Sequence, residues 1–179
     1  MSHPFAAARR NQFVVAPESL HILGAALAAA TGSNAARPLQ EAGYATGVAL
    51  AAAFREWLHE RGEGEPGELP LSVFGERVRQ LFAELGWGEL RMRAEHEEAS
   101  VLEAERWAEW RTRAEDEAPS CHFSTGMLAG FFGELAGQPL AVLEVEPAEP
   151  APGACRFLMG SEQVMDDVYA RLERGEAVV

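Results

Sequence analysis

The residues best equipped for chemistry are two cysteines and a glutamate, Cys121, Glu144 and Cys155, set around the Gly-rich stretch Cys121-His-Phe-Ser-Thr-Gly-Met-Leu-Ala-Gly-Phe-Phe-Gly133. Thiolate and carboxylate both suit zinc, but a closed zinc site takes four donors, so water, His122, Glu146 or Glu149 would have to complete the shell. On residue types alone three readings stay open: metal ligands, two packed thiols, or a Cys121–Cys155 disulfide. Catalysis by Cys121 with His122 as its base is disfavoured, because adjacent residues on a helix project about 100° apart. Another histidine, His96 or His21, would have to be brought near by the fold. His96 lies in Glu95-His-Glu-Glu98 and lacks the second histidine of a zinc-protease helix, so that motif is set aside. His3 and His59 sit in terminal or polar contexts and read as solvated.

These groups need elements to hold them. Residues 1–16 carry no clear period and read as a partly ordered lead-in, and 17–179 as a single domain. A helical pattern begins at Pro17, with Leu20, Leu23, Ala26 or Leu27 and Ala30 on one face, and ends at Gly32-Ser33-Asn34. Pro38 opens a second helix with an apolar stripe from Leu39 to Trp57. Its Gly43 and Gly47 each cost about 1 kcal/mol of helix propensity, and close approach of another backbone is the expected return. The polar run Gly62–Gly67 is a loop. A third helix follows over Leu71–Leu85, then strands over Leu90–His96 and Ser100–Glu103. Glu103–Arg113 places Trp107 and Trp110 on one helical face. The Gly-rich helix ends at Gln138-Pro139, strands follow over Leu140–Glu146 and Cys155–Met159, and a helix capped by Ser161 carries Val164, Val168 and Leu172. The expected class is α+β, an antiparallel sheet backed by helices.

Composition narrows the function. The chain has 179 residues, enough to bury roughly two-thirds of its unfolded surface. With 28 acidic against 15 basic residues its formal charge is −13, which repels a phosphate backbone and argues against nucleic acid as a partner. Two cysteines fit a reducing cytoplasm better than a secreted disulfide scaffold. Arg9-Arg10 followed by the apolar run Ile22–Ala30 superficially resembles a twin-arginine export signal. Pro17-Glu18-Ser19 instead reads as a helix start and His21 interrupts the approach, so a cytoplasmic protein is expected. No apolar run of about twenty residues offers a membrane span.

The order Cys121, then Gly126-x-x-x-Gly130, then Glu144-x-x-Pro147-x7-Cys155-x-Phe157 resembles the C-terminal signature of the 4-vinyl-reductase domain family, in which a cysteine stands at the place of Pro147. The segment Leu39–Gly47 resembles the family's second helix, where a glycine pair recurs. The resemblance implies an α+β fold like that of vesicle-tethering TRAPP subunits and heme-based gas sensors, dimerised through the N-terminal helices. It implies a zinc site formed by Cys121, Glu144 and Cys155, weakened because Pro147 supplies no thiolate. It also implies a cavity for a small apolar, hydrocarbon-like ligand, walled by Phe74, Val78, Leu102, Trp107, Phe131 and Val142. The implied role is a stand-alone small-molecule-binding or sensor protein without catalysis of its own, acting on a separate regulator or enzyme. Two rivals are an accessory or chaperone role in tetrapyrrole vinyl reduction and an interaction module with a collapsed pocket. The first receives no nicotinamide site from this sequence, which has no G-x-G-x-x-G motif. A homodimer is expected on the chain's own evidence as well, since the alanine-rich helices Leu20–Ala30 and Leu39–Trp57 present more small apolar surface than one thin sheet can cover.

Overall fold

The computed structural model describes residues 16–94, 99–111, 121–147, 149 and 151–175. Its helices are α1 (Pro17–Thr31), α2 (Ala36–Glu60), α3 (Leu71–Glu84), α4 (His122–Ala136) and α5 (Glu162–Glu173), and its strands β1 (Glu89–Ala94), β2 (Ala99–Glu105), β3 (Ala141–Val145) and β4 (Cys155–Gly160). The fold class is α+β: one four-stranded sheet in the order β1-β2-β4-β3, antiparallel at every step.

Period-2 alternation gives the sheet two apolar faces. Leu102 and Ala104 of β2, Cys155, Phe157 and Met159 of β4, and Leu90 of β1 point into the main core with α2, α3 and α4. Val101 and Leu158 point the other way, where Met165 and Val168 of α5 cover them. Ser161 caps α5 as expected, its hydroxyl accepting the Val164 N–H at 3.3 Å, but Leu172 at the far end of the stripe is exposed.

Helices α2 and α4 meet backbone to backbone. A Cβ added to Gly43 would stand 2.0 Å from the carbonyl oxygen of Phe123, and one on Gly47 2.1 Å from that of Met127. The relation is reciprocal: added to Gly126 it would lie 2.0 Å from the Gln40 oxygen, and to Gly130 2.4 Å from the Tyr44 oxygen. No real Cβ tolerates such distances, so each Gly-x-x-x-Gly step admits the other helix's carbonyls. Arg55 closes the far end of this seam by donating to the Glu134 carbonyl at 2.6 Å.

Two departures from the sequence reading bear on the start and end of α4, among smaller shifts such as α2 beginning at Ala36 and β2 spanning Ala99–Glu105. The stretch after β2 is not a helix: β2 runs to Glu105, Arg106 turns through a positive φ of 52°, and Trp107 and Trp110 are joined only by a turn, Trp110 N–H donating to the Trp107 carbonyl at 3.1 Å. Their i, i+3 spacing reflects that turn. Trp107 is pinned by its own N–H to the Gly153 carbonyl at 3.0 Å, and Ala108 N–H donates to the Trp87 carbonyl at 2.9 Å. Helix α4 ends at Gly137, whose φ of 66° favours glycine, one residue before the expected stop at Gln138-Pro139. The lead-in 1–15, His96 and the stretch 112–120 lie outside the described residues.

Replacing Gly126 with valine should lower stability by about 3 kcal/mol or prevent folding, since the backbone of α2 cannot yield as a flexible side chain can. The control is Gly75→Ala on α3, where a Cβ meets nothing within 4 Å; removal of a helix glycine there should raise stability by up to about 1 kcal/mol. Urea titration of both variants measures the contrast.

Candidate functional site

Register explains how Glu144 and Cys155 come together. Glu144 lies opposite Phe157, so Cys155, two residues back along β4, is its diagonal neighbour on the helix-facing side of the sheet. Cys121 is the N-cap residue of α4, and its backbone N–H donates to Glu144 Oε2 at 2.8 Å. The two sulfurs stand 3.4 Å apart, and the donor atoms of Cys121, Glu144 and Cys155 all lie within 4.8 Å of one another, all three residues buried. His122 is half-buried beside them and does not join this cluster. Its imidazole is held below its ordinary pKa, first by burial. His21 is on α1, 3.9 Å from Glu18.

The donor set falls short of a closed zinc site. Three side chains converge, Glu144 already spends one oxygen on a backbone N–H, and no fourth donor joins them among the described residues. The sulfurs are also closer than the roughly 3.8 Å expected of two thiolates each about 2.3 Å from a tetrahedral zinc. The Cys121 thiol is pushed well up from its ordinary pKa by its hydrogen bond with Cys155, by burial and by the Glu144 charge. Without a cation, the Cys121 sulfur is held as a neutral thiol.

A second carboxylate completes the same end of α4, and sequence reasoning missed it. Glu109 is buried, and its two oxygens accept the N–H groups of Phe123 at 2.9 Å and Ser124 at 2.6 Å. It thereby satisfies donors that a helix start leaves open and meets the positive end of the helix dipole. Trp107 adds a third tie, its indole N–H donating to Ser124 Oγ at 2.8 Å. The only signal in the sequence was an acidic residue between the two tryptophans. Burial pushes the Glu109 carboxyl up to about 7 against the opposing pull of those N–H bonds.

The six expected wall residues do converge. Val78, Leu102, Trp107 and Phe131 are buried in one cluster, and Phe74 and Val142 pack against it. Ring contacts run through it without a break: Phe74 to Phe54 at 6.0 Å, Phe54 to Phe131 at 5.6 Å, Phe131 to Phe82 at 5.3 Å, Phe82 to Trp107 at 5.9 Å and Trp107 to Phe157 at 6.2 Å. These side chains touch one another. A groove of about 770 Å³ lies elsewhere, between α3 and β1, lined by Leu71, Gly75, Arg79, Leu90, Met92 and Arg93 among others. It includes none of the six, and ion pairs such as Arg79–Glu76 at 2.8 Å lace its wall.

The phenol-responsive sensory domain of the transcription activator PoxR, solved with phenol, superposes with a TM-score of 0.66 at 15% identity, over 93% of this chain and 85% of that one. A vinyl-4-reductase family protein from Methanocaldococcus jannaschii superposes with a TM-score of 0.50 at 16% identity, over 86% and 88%. The fold is of the 4-vinyl-reductase type. No protein-family model matches the sequence, and no curated protein does. At such identities the likeness is one of fold, and the chemistry must be argued from the residues present.

A raised carboxyl pKa in the folded state means that the native protein holds a proton which the unfolded chain releases from about pH 4.5 upward. Stability from Glu109 is therefore present below that pH and is lost as pH rises toward 7, by on the order of 3 kcal/mol at most. Glu109→Gln should flatten stability across this window, as measured by urea titrations at a series of pH values.

Proposed function

We propose that this chain is a small-molecule-binding module for a compact aromatic ligand, working through a separate partner. The carrying observation is the aromatic cluster at the meeting of α2, α3, α4 and the sheet, inside a fold shared with a phenol-responsive sensory domain. Trp57 sharpens the ligand class. It is buried against Phe54 at 5.8 Å, and its indole Nε1 is shielded from solvent with no hydrogen-bond partner among the described residues. An unmet buried donor costs about 1–3 kcal/mol. A ligand oxygen brought to it recovers part of that cost, which favours phenols over hydrocarbons of equal size.

Entry requires α3 to shift. This helix packs chiefly on β1, and glycine turns flank it, with Gly62 on one side and Gly86 and Gly88 on the other, all at positive φ. A thermal-shift screen of phenols, alkylbenzenes, fatty acids and tetrapyrroles tests the reading, with tryptophan quenching as a second signal. Phenols should raise the Tm most. Trp57→Phe should weaken phenol binding about fivefold while leaving alkylbenzenes unchanged, the worth of one neutral hydrogen bond. The continuous ring contacts favour a second reading, an interaction module whose aromatic region stays closed. Failure of every compound class to raise the Tm would select it.

The proposed assembly is a homodimer through α1 and the outer face of α2. Helix α1 buries no residue within one chain, and Ile22 and Leu23 are 60% and 62% exposed. Ala42, Ala45, Ala49 and Ala52 form an exposed stripe on α2. From Ser19 to Ala36 the chain has no Asp, Glu, Lys or Arg, so two copies of charge −13 can approach there with least repulsion. Light scattering at low micromolar concentration should give twice 19.4 kDa; a monomer mass would remove the dimer. Among the described residues no helix is long and apolar enough to cross a membrane.

A further inference from the structure

Cys121 and Cys155 are the two cysteines of the chain, and the fold sets them sulfur to sulfur at 3.4 Å. A disulfide bond is about 2.05 Å long, so bonding asks the sulfurs to close by roughly 1.4 Å. Both residues stand where the backbone can give. Cys121 precedes the first turn of α4 with a non-helical ψ of 50°, and Cys155 is the first residue of β4, just after the turn at Gly153. Neither is held in the middle of an element. Among the described residues their one converging companion donor is Glu144, which serves the Cys121 N–H, so the site lacks the fourth donor that would commit both sulfurs to a metal.

We propose that Cys121 and Cys155 are a reversible dithiol–disulfide pair, oxidised by a small peroxide, which makes the junction of α4 and the sheet responsive to redox state. The balance is simple. One thiol gives up its proton as its sulfur attacks a peroxide oxygen, the O–O bond breaks, and the cysteine becomes a sulfenic acid as the first water leaves, a step that the burial and neighbouring charge holding the Cys121 thiol neutral make slow. The second thiol then attacks that sulfur, the S–S bond forms, and the second water departs with the remaining proton. In sum two thiols lose two protons and two electrons, and hydrogen peroxide becomes two waters. Burial, with Cys121 1% and Cys155 4% exposed, restricts the oxidant to a molecule of this size and shields the product from bulky thiols. The bond would tie the N-terminus of α4 to β4 beside Trp107, which already joins the two regions through Ser124 and Gly153.

The test uses the whole chain, dialysed against a chelator and treated with hydrogen peroxide. Thiol titration after denaturation should fall from two per chain to none, the intact mass should drop by two hydrogens, and one peptide pair should link Cys121 to Cys155. The product should run as a single chain on a non-reducing gel, melt higher than the reduced protein, and return to it with dithiothreitol. Cys155→Ser should instead leave Cys121 as a sulfenic acid, trapped by dimedone added together with denaturant; should that variant not fold, the wild-type thiol count and peptide map decide alone. Two thiols still titratable, oxygen added to each cysteine without linkage, or links only between chains would each overturn the proposal. None of these readouts depends on a ligand in the aromatic region.

Discussion

Everything in this molecule is placed by the contact in which α2 and α4 bring their backbones together through reciprocal glycines. Four carbonyl oxygens, from Gln40, Tyr44, Phe123 and Met127, lie where any side chain on Gly126, Gly130, Gly43 and Gly47 would have to be. That contact fixes α4 against α2, while the Cys121 N–H bond to Glu144 ties its first turn to β3. The glycines each weaken their own helix, which makes sense only because tertiary packing, rather than propensity, stabilises helices of this length. With one side of α4 committed to α2, Phe131 on another side enters the aromatic core.

The start of α4 is then an electrostatic problem with an unusual solution. Helix N-termini usually meet their open N–H groups with the N-cap side chain, but the Cys121 side chain makes no such bond here. Glu109 and Glu144, from a turn and a strand, supply the acceptors instead. Buried carboxylates are costly unless hydrogen-bonded, and these two are tolerated because each accepts backbone donors that would otherwise go unmet. The same arrangement places Glu144 beside the two cysteines, where its charge helps to hold the Cys121 thiol neutral. A site that offers three donors with its sulfurs 3.4 Å apart is poorly suited to zinc, and the close pair of sulfurs becomes its main chemical feature.

Much of this was legible in the residues. Period 3.6 and period 2 located the helices and strands to within a few residues, Ser161 marked the last helix start, and the glycine pairs on α2 and α4 announced close approach. The resemblance put Cys121, Glu144 and Cys155 in one place, and their donor atoms do lie within 4.8 Å of one another; Val78, Leu102 and Phe131, expected as cavity walls, lie in one packed core. The segment after β2 misled because Trp107 and Trp110 have helical spacing by coincidence of a turn, whose cause, Gly153 and Trp87 accepting its N–H groups, is remote in sequence. Glu109 showed only as an acidic residue between two tryptophans, because its role depends on a helix start more than ten residues further along the chain.

What the sequence by itself determined is therefore everything set by local periodicity and by atoms a residue carries or lacks: element type, the glycine faces, and a formal charge of −13. Tertiary structure alone decided which glycines face each other, which carboxylates cap α4, how near the two sulfurs stand, and that the aromatic side chains touch across the space expected for a ligand. These are distances between residues far apart in the chain. Local preferences do not encode them, because they are fixed only when two helix backbones and a four-stranded register are packed at once.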